Sequence, residues 1–183
     1  MRLTGFCGKG DGIADFLDLR GHRDPARLGF DAGRGHWRDE RKGARMDSFD
    51  QVVERYHVAL REFFKGEPGP VIRMFSQRED VVLCNPFHPF ARGPGEVAET
   101  IEQAASHYVD GKCEPERVTA FATAELGYTV EIERFTATVD GTKGSGALRV
   151  TTIFRLEDDG WRIAHRHADP ITTPRPVESV LQT

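Results

Sequence analysis

The chain changes its hydrophobic period once, near Gly111, and this change restricts the fold more than any other feature of the sequence. Before it, apolar residues recur at three- and four-residue steps, which is the period of helices. After it, apolar and polar residues alternate, which is the period of strands. Asp140-Gly141 and Asp158-Asp159-Gly160 are turn sequences that separate the later strands and predict antiparallel hairpins. Helices followed by strands indicate an α+β domain whose helices lie on one face of a sheet.

The individual elements follow from the same pattern. Asp47 or Ser48 can cap the first helix, and Gly66 with the following proline ends it. The predicted elements are, in order, a first helix (47–66), a short helix (71–75), a strand (81–85), an aromatic, proline-rich loop (85–95), a third helix (95–111) and four strands (116–126, 127–139, 146–157 and 160–168).

Length, charge and cysteine spacing limit the number of domains and the kinds of partner. A chain of 183 residues has room for one domain with a full core rather than two. The formal net charge is -4, and no apolar run reaches the roughly 18 residues of a membrane span. We therefore expect neither nucleic acid nor a membrane as a partner. The three cysteines lack metal-type spacing, and no secretory signal pattern precedes them, so we predict a cytoplasmic protein with free thiols.

The first 45 residues differ from the rest in composition. They are rich in Gly, Arg and Asp and contain only scattered apolar residues without a sustained period. Such a segment cannot bury enough apolar surface to offset the entropy lost on ordering. We predict a disordered or irregular N-terminal extension over residues 1–45, one domain over residues 46–172 and a C-terminal tail over residues 173–183.

The last strand, GWRIAHRHADP (160–170), carries two histidines. Strict alternation places Trp161, Ile163, His165 and His167 on one side and Arg162, Ala164, Arg166 and Ala168 on the other. Two imidazoles and an indole on one face predict either a pocket wall or a half-polar core. A His-x-His pair is also a metal-ligand geometry, but nothing in the spacing selects a third ligand, so no metal site is predicted.

The chain resembles the nuclear transport factor 2-like superfamily, in its SnoaL-like and ketosteroid isomerase-like branch. The resemblance rests on the order of elements and on the segments VVERYHVAL, LRVTTIFRLEDDGW and HRHADP. The resemblance covers about residues 47–172. It implies a cone-shaped, curved antiparallel (mixed) sheet packed on three N-terminal helices, as in cystatin-like folds, with an internal pocket. It also implies a homodimer formed through the outer face of the sheet.

The resemblance extends only in part to the chemistry of the family. Tyr56 lies where the catalytic tyrosine of the isomerases lies. Those enzymes use an Asp base and a protonated Asp in the oxyanion hole, whereas the matching positions here are Asn85 and Thr152. Asn has no basic form at neutral pH, so it cannot abstract a proton. Steroid isomerisation by that mechanism is therefore not expected.

For this chain the resemblance implies a small organic ligand and no cofactor. Two function classes stay open, a small-molecule-binding domain without catalysis and a cofactor-independent isomerase, cyclase or dehydratase. In the second class His167 or His165 would act as acid/base together with Tyr56. We expect Glu131 and Glu133 to lie on a solvated or dimer-forming surface. The predicted ligand-contacting residues are Tyr56, Phe63, Asn85, Phe87, His88, Phe90, Thr152 and Trp161.

Overall fold

The computed structural model describes residues 29–31, 36–38 and 47–181. The chain divides into two compact units, Met1–Arg45 and Met46–Thr183. In the first unit, β1 (Gly29–Asp31) pairs antiparallel with β2 (His36–Arg38). The remainder of the predicted N-terminal extension lies outside the described residues.

The first helix of the second unit begins and ends close to the predicted positions. Ser48 caps the first helix, because its hydroxyl accepts from Gln51 N at 3.3 Å while the Gln51 side chain accepts from Ser48 N at 2.8 Å. The predicted capping residue is thereby confirmed, and the two bonds form a capping box. The helices are α1 (Phe49–Phe63), α2 (Gly69–Ile72) and α3 (Gly93–Ala105), and a 3-10 turn covers Val177–Val180.

The strands of the second unit form one mixed sheet of six strands in the order β4-β3-β8-β7-β6-β5. All neighbouring pairs are antiparallel except β3 with β8, which is parallel. The α+β class and the mixed sheet agree with the sequence prediction. The strands are β3 (Val82–Asn85), β4 (His88–Arg92), β5 (Tyr108–Ala122), β6 (Leu126–Val139), β7 (Thr142–Glu157) and β8 (Gly160–Asp169).

Two segments differ from the prediction. The aromatic loop after β3 contains β4, an edge strand with mostly exposed side chains, and such a strand shows no apolar alternation in the sequence. β5 begins at Tyr108, earlier than predicted, and α3 is correspondingly shorter. Within this strand Asp110 takes a φ of 53°, and Gly111 N donates to Phe64 O at 2.9 Å.

The main core lies between α1 and the inner face of the sheet. Val52, Val53 and Tyr56 of α1 are fully buried against Phe154 and Ile163 of the sheet, and neighbouring buried apolar residues complete this cluster. Burying each such apolar side chain contributes roughly 1.5–3 kcal/mol. A smaller cluster contains Phe64, Tyr108, Cys113 and Ala137.

Gly127 in β6 allows the start of α1 to approach the sheet closely. A Cβ at this position would lie 2.4 Å from Cε2 of Phe49. The Phe49 ring packs edge-on against Phe154, with ring centroids 5.5 Å apart. The absence of a side chain at Gly127 therefore admits an aromatic ring at the sheet surface.

Among the helices of the described residues, none combines the length and the apolar character that a membrane crossing requires.

Candidate functional site

A β-bulge in β8 determines which side chains of the last strand face the helices. Ile153 of β7 lies opposite His165, whereas the next residue, Phe154, lies opposite Ile163. Ala164 is therefore an extra residue without a cross-strand partner, and such a residue reverses the alternation of the strand beyond it. The prediction that the two histidines share the face of Ile163 is wrong.

His165 and His167 lie on the outer face of the sheet. The His167 side chain is 55% exposed, and its Nε2 is 3.9 Å from Asp169 Oδ2. His165 is half-buried, and desolvation lowers its pKa; a backbone hydrogen bond at Val82 opposes this effect and the charge of His167 adds to it. Neither histidine borders the cavity or the cleft described below. The structure therefore does not bring them together with Tyr56.

The bulge turns Arg166 into the interior, where the sequence had placed it outside. Its side chain is only 12% exposed. Arg166 Nε donates to Tyr56 Oη at 2.6 Å, and Nη2 donates to Glu133 Oε2 at 2.6 Å. Tyr56 belongs to α1, Glu133 to β6 and Arg166 to β8. This polar triad therefore links the helix to two strands of the sheet.

Two carboxylates of β6, Glu133 of the triad and the nearby Glu131, are fully buried, so the expectation of a solvated or dimer-forming surface is wrong for both. Glu131 Oε1 lies 3.0 Å from His57 Nε2 and 3.7 Å from Arg117 Nε. The second oxygen of Glu131 and Oε1 of Glu133 have no hydrogen-bond partner among the described residues. An unpartnered buried polar atom is costly, so these oxygens make the interior sensitive to any change in their surroundings.

Burial controls the protonation of the triad. Desolvation raises the pKa of Tyr56 well above its usual range, so its hydroxyl keeps its proton near neutral pH. Desolvation also raises the pKa of Glu133, and the charge of Arg166 counteracts this rise. Burial alone would lower the pKa of Arg166, but the charge of Glu133 and the hydrogen bonds to Tyr56 and Glu133 outweigh it, so the pKa of Arg166 is raised. The guanidinium therefore stays charged.

Arg166 and Tyr56 border a narrow inner cavity of about 50 Å³. A water needs roughly 10–15 Å³ of such space, so the cavity has room for about three to five water-sized groups. Apart from these two residues the lining is mostly apolar. The remaining lining residues are Leu60, Phe63, Phe64, Val71, Phe75, Leu83, Asn85, Pro86, Phe87, Ile101, Ala104, Tyr108 and Leu148.

A larger outer cleft of about 340 Å³ adjoins the inner cavity. The two spaces share four lining residues, which are Asn85, Phe87, Ala104 and Tyr108. The other lining residues of the cleft are His88, Thr100, Gln103, His107, Val139 and Asp140. The cleft is therefore larger and more polar than the inner cavity.

Five of the eight predicted ligand-contacting residues border one of these spaces. Tyr56, Phe63, Asn85 and Phe87 line the inner cavity, and His88 lines the outer cleft. Phe90 is an exposed residue of β4, and Thr152 and Trp161 are buried in the sheet; these three are not lining residues.

Asn85 has a conformational role at the mouth of the inner cavity. Its Oδ1 accepts hydrogen bonds from Phe87 N at 2.9 Å and from His88 N at 2.8 Å. This Asx-type turn reverses the chain between β3 and β4 and leaves Phe87 at the boundary of the two spaces. Asn85, where an Asp base would have been needed for isomerisation, is thus a turn-forming amide.

Sequence reasoning missed Arg166, Glu133 and the paired His107 and Asp140 as site residues. The alternation of β6 and β8 did contain Glu133 and Arg166, because it separates each strand into two sets of side chains. No signal in the sequence identifies the inward set. Asp140 was recognised only as part of a turn.

Within residues 47–181, no group of three or more His, Cys, Asp or Glu is arranged to hold a metal ion.

Comparison with protein families identifies residues 70–172 as a match to the SnoaL-like domain. A search of curated proteins by sequence finds no match.

Solved structures with similar folds include three from bacteria. A nuclear transport factor 2-like superfamily protein from Salmonella enterica has a TM-score of 0.59 at 16% identity, covering 69% of this chain and 90% of that one. A candidate dehydratase of the same family from Streptomyces avermitilis has a TM-score of 0.57 at 19% identity, covering 69% and 100%. A ketosteroid isomerase-like protein from Erwinia carotovora has a TM-score of 0.55 at 22% identity, covering 68% and 94%. At these identities the similarity establishes the fold.

Proposed function

This chain belongs to the SnoaL-like domain family, and on that premise we propose that it binds a small, partly apolar organic molecule through an uncharged oxygen acceptor such as a carbonyl group. The acceptor would lie in the inner cavity against Arg166 and Tyr56. The observation that carries this proposal is that Arg166 and Tyr56 present hydrogen-bond donors to a mostly apolar cavity.

The donors that remain on the triad favour an oxygen acceptor. A guanidinium has five N–H groups, and the bonds to Tyr56 and Glu133 use two of them. The Tyr56 hydroxyl accepts from Arg166, so its own proton is free to be donated. Each hydrogen bond that involves a charged group contributes roughly 1.5–3 kcal/mol.

Charge balance favours a neutral ligand over an anion. Arg166 is the cation of the inner cavity, and Glu133 already lies 2.6 Å from its Nη2. A carboxylate ligand would add a second negative group to a guanidinium that is already paired, in a setting where removing a charge from water is costly. A carbonyl oxygen avoids that cost.

The experiment compares two probes that differ only in the acceptor. We expect para-methoxyacetophenone to bind at least about tenfold more tightly than para-ethylanisole, in which a methylene replaces the carbonyl. Tyr56→Phe should remove about tenfold of the affinity for the ketone. Tyr128→Phe is the matched control, because that tyrosine lies on the outer face of the sheet and does not border the inner cavity. Equal affinities for the two probes in isothermal titration calorimetry would contradict the proposal.

We favour binding over catalysis because the described lining of the inner cavity contains no His, Asp, Glu, Lys or Cys. The alternative, a cofactor-independent enzyme of the isomerase, cyclase or dehydratase type, needs an acid/base group near the ligand. His88 and His107 border the outer cleft and are better placed for that role than His165 and His167. Exchange of the acetyl methyl protons of the ketone probe for deuterium in D2O, catalysed by the wild-type protein and followed by mass spectrometry, would favour the enzyme.

We also propose a homodimer formed through the outer sheet face. Tyr128, Val130 and Ile132 of β6 lie on this face and are exposed or half-buried. Ile132→Glu should convert the dimer to a monomer in sedimentation velocity. Val58→Glu should leave the dimer intact, because Val58 is an exposed residue of α1. A wild-type monomer at high micromolar concentration would contradict this proposal.

A further inference from the structure

The outer cleft has room for most of a ligand whose carbonyl end reaches Arg166. Its volume of about 340 Å³ compares with about 50 Å³ for the inner cavity. Because the two spaces adjoin at their shared lining residues, a ligand too large for the inner cavity would extend into the cleft. The chemistry of the cleft therefore bears on the larger part of the ligand.

A His–Asp pair forms one wall of the cleft. His107 Nδ1 lies 2.8 Å from Asp140 Oδ1. Asp140 N also donates to His107 O at 3.2 Å, so the two residues are joined twice. Asp140 and Gly141 have φ angles of 47° and 81°, as in the tight turn between β6 and β7 that their sequence predicts. The turn thus fixes Asp140, and Asp140 fixes the imidazole of His107.

The hydrogen bond to Asp140 determines what His107 offers to a ligand. A carboxylate accepts, so Nδ1 carries the proton and Nε2 is left to bond a group in the cleft. His107 and Asp140 are partly exposed, at 48% and 70%, so a ligand in the cleft has access to them.

The remaining lining residues of the cleft are amphipathic and mostly uncharged. Phe87, Ala104 and Val139 supply apolar surface, while Thr100 and Gln103 supply groups that both donate and accept hydrogen bonds. Asp140 is the one residue of this lining with a full negative charge, and the described lining contains no Lys or Arg. An anionic ligand group is therefore disfavoured.

We propose that the outer cleft is a binding subsite for a neutral ring that carries several hydroxyl groups, such as a sugar ring. Hydroxyls both donate and accept, so they match the polar side of the cleft. The C–H face of the same ring matches the apolar side. This proposal rests on the proposed function, since the ring is the outer part of the ligand whose carbonyl group lies in the inner cavity.

The test uses the para-acetylphenyl β-glucoside and para-methoxyacetophenone, which share the carbonyl end and differ in the hydroxylated ring. In calorimetry with the wild-type protein, the glucoside should bind about tenfold more tightly. In Asp140→Asn and His107→Phe, the ratio of the dissociation constants of para-methoxyacetophenone and the glucoside should fall to about one. Asn accepts the left-handed backbone at position 140, so Asp140→Asn preserves the turn. Asp159→Asn, at the turn between β7 and β8, is the matched control and should keep the ratio.

The outcomes separate the two proposals. If methoxyacetophenone binds and the glucoside binds no more tightly, the hydroxylated-ring subsite is wrong and the proposed function stands. If Asp140→Asn and Asp159→Asn retain the same ratio, the role of the His–Asp pair is overturned. If neither probe binds the wild-type protein, both proposals are overturned. Thermal unfolding of each variant checks that a lost ratio does not come from a lost fold.

Discussion

Replacing Arg166 with methionine should strongly destabilise the protein, because Arg166→Met leaves a carboxylate of the core without its cation. Glu133 is fully buried, and Oε1 has no partner even in the intact network. The substitution would remove the partner of Oε2 as well. Removing one partner of a buried ion pair costs about 3–5 kcal/mol. For a chain of this size that corresponds to a decrease in Tm of about 6–20 °C.

The cause can be separated from lost packing by a double variant. Arg166→Met combined with Glu133→Leu removes both charges and keeps apolar volume in their place. Replacing a buried pair in this way is often neutral or stabilising, so the double variant should recover most of the loss. Arg134→Met is the matched control. Arg134 belongs to the exposed side of β6 and pairs with Glu116 at 3.3 Å in solvent, so this change should cost less than about 1 kcal/mol.

The pH dependence gives an independent measure of the same effect. Burial raises the pKa of Glu133 and Arg166 counteracts the rise, so losing Arg166 raises this pKa further. A carboxyl group whose pKa is higher in the folded state binds its proton more tightly when folded. The unfolding free energy that Arg166→Met loses relative to the wild type should therefore be largest above the folded-state pKa of Glu133. It should shrink as the pH falls through that pKa.

The assay is urea unfolding at pH values above and below the folded-state pKa of Glu133. It compares the wild type with Arg166→Met, the double variant and Arg134→Met. Three results would refute the reasoning. The first is that Arg166→Met loses less than about 1 kcal/mol of unfolding free energy relative to the wild type at neutral pH. The second is that this loss does not shrink on acidification, and the third is that the double variant is as unstable as Arg166→Met.

Two further predictions concern the core. Gly127→Ala should cost about 1–3 kcal/mol in urea unfolding, because the added Cβ would lie 2.4 Å from the Phe49 ring, and overpacking of this kind strains a core. Gly144→Ala meets nothing within 4 Å, so it is the control, and an equal cost in both variants would contradict the steric explanation. Burial raises the pKa of the Cys113 thiol to about 12, so in a variant whose other two cysteines are serine, a thiol reagent at mildly alkaline pH should react only after unfolding. Rapid stoichiometric reaction of the folded protein would show that the thiol is accessible.

Local sequence determined the order and many of the ends of the elements. The Ser48 cap, the helical period of α1 and the Asp140-Gly141 turn depend on interactions within a few residues, so they can be read from the chain alone. The switch of period near Gly111 predicts helices followed by strands, and the four long strands β5 to β8 of the mixed sheet follow from it. The resemblance to SnoaL-like domains rests on the same order of elements.

Only the tertiary structure decided which side chains form the site. Alternation divides β6 into two sets of side chains, and the apolar set that includes Val130 and Ile132 would be expected inside. The set with Glu131 and Glu133 faces the helices instead, where Arg166 and His57 supply partners from distant parts of the chain. In β8 one extra residue, Ala164, moves Arg166 inward and the histidines outward. Strand period defines two faces but not their environment, because burial depends on contacts between residues far apart in sequence.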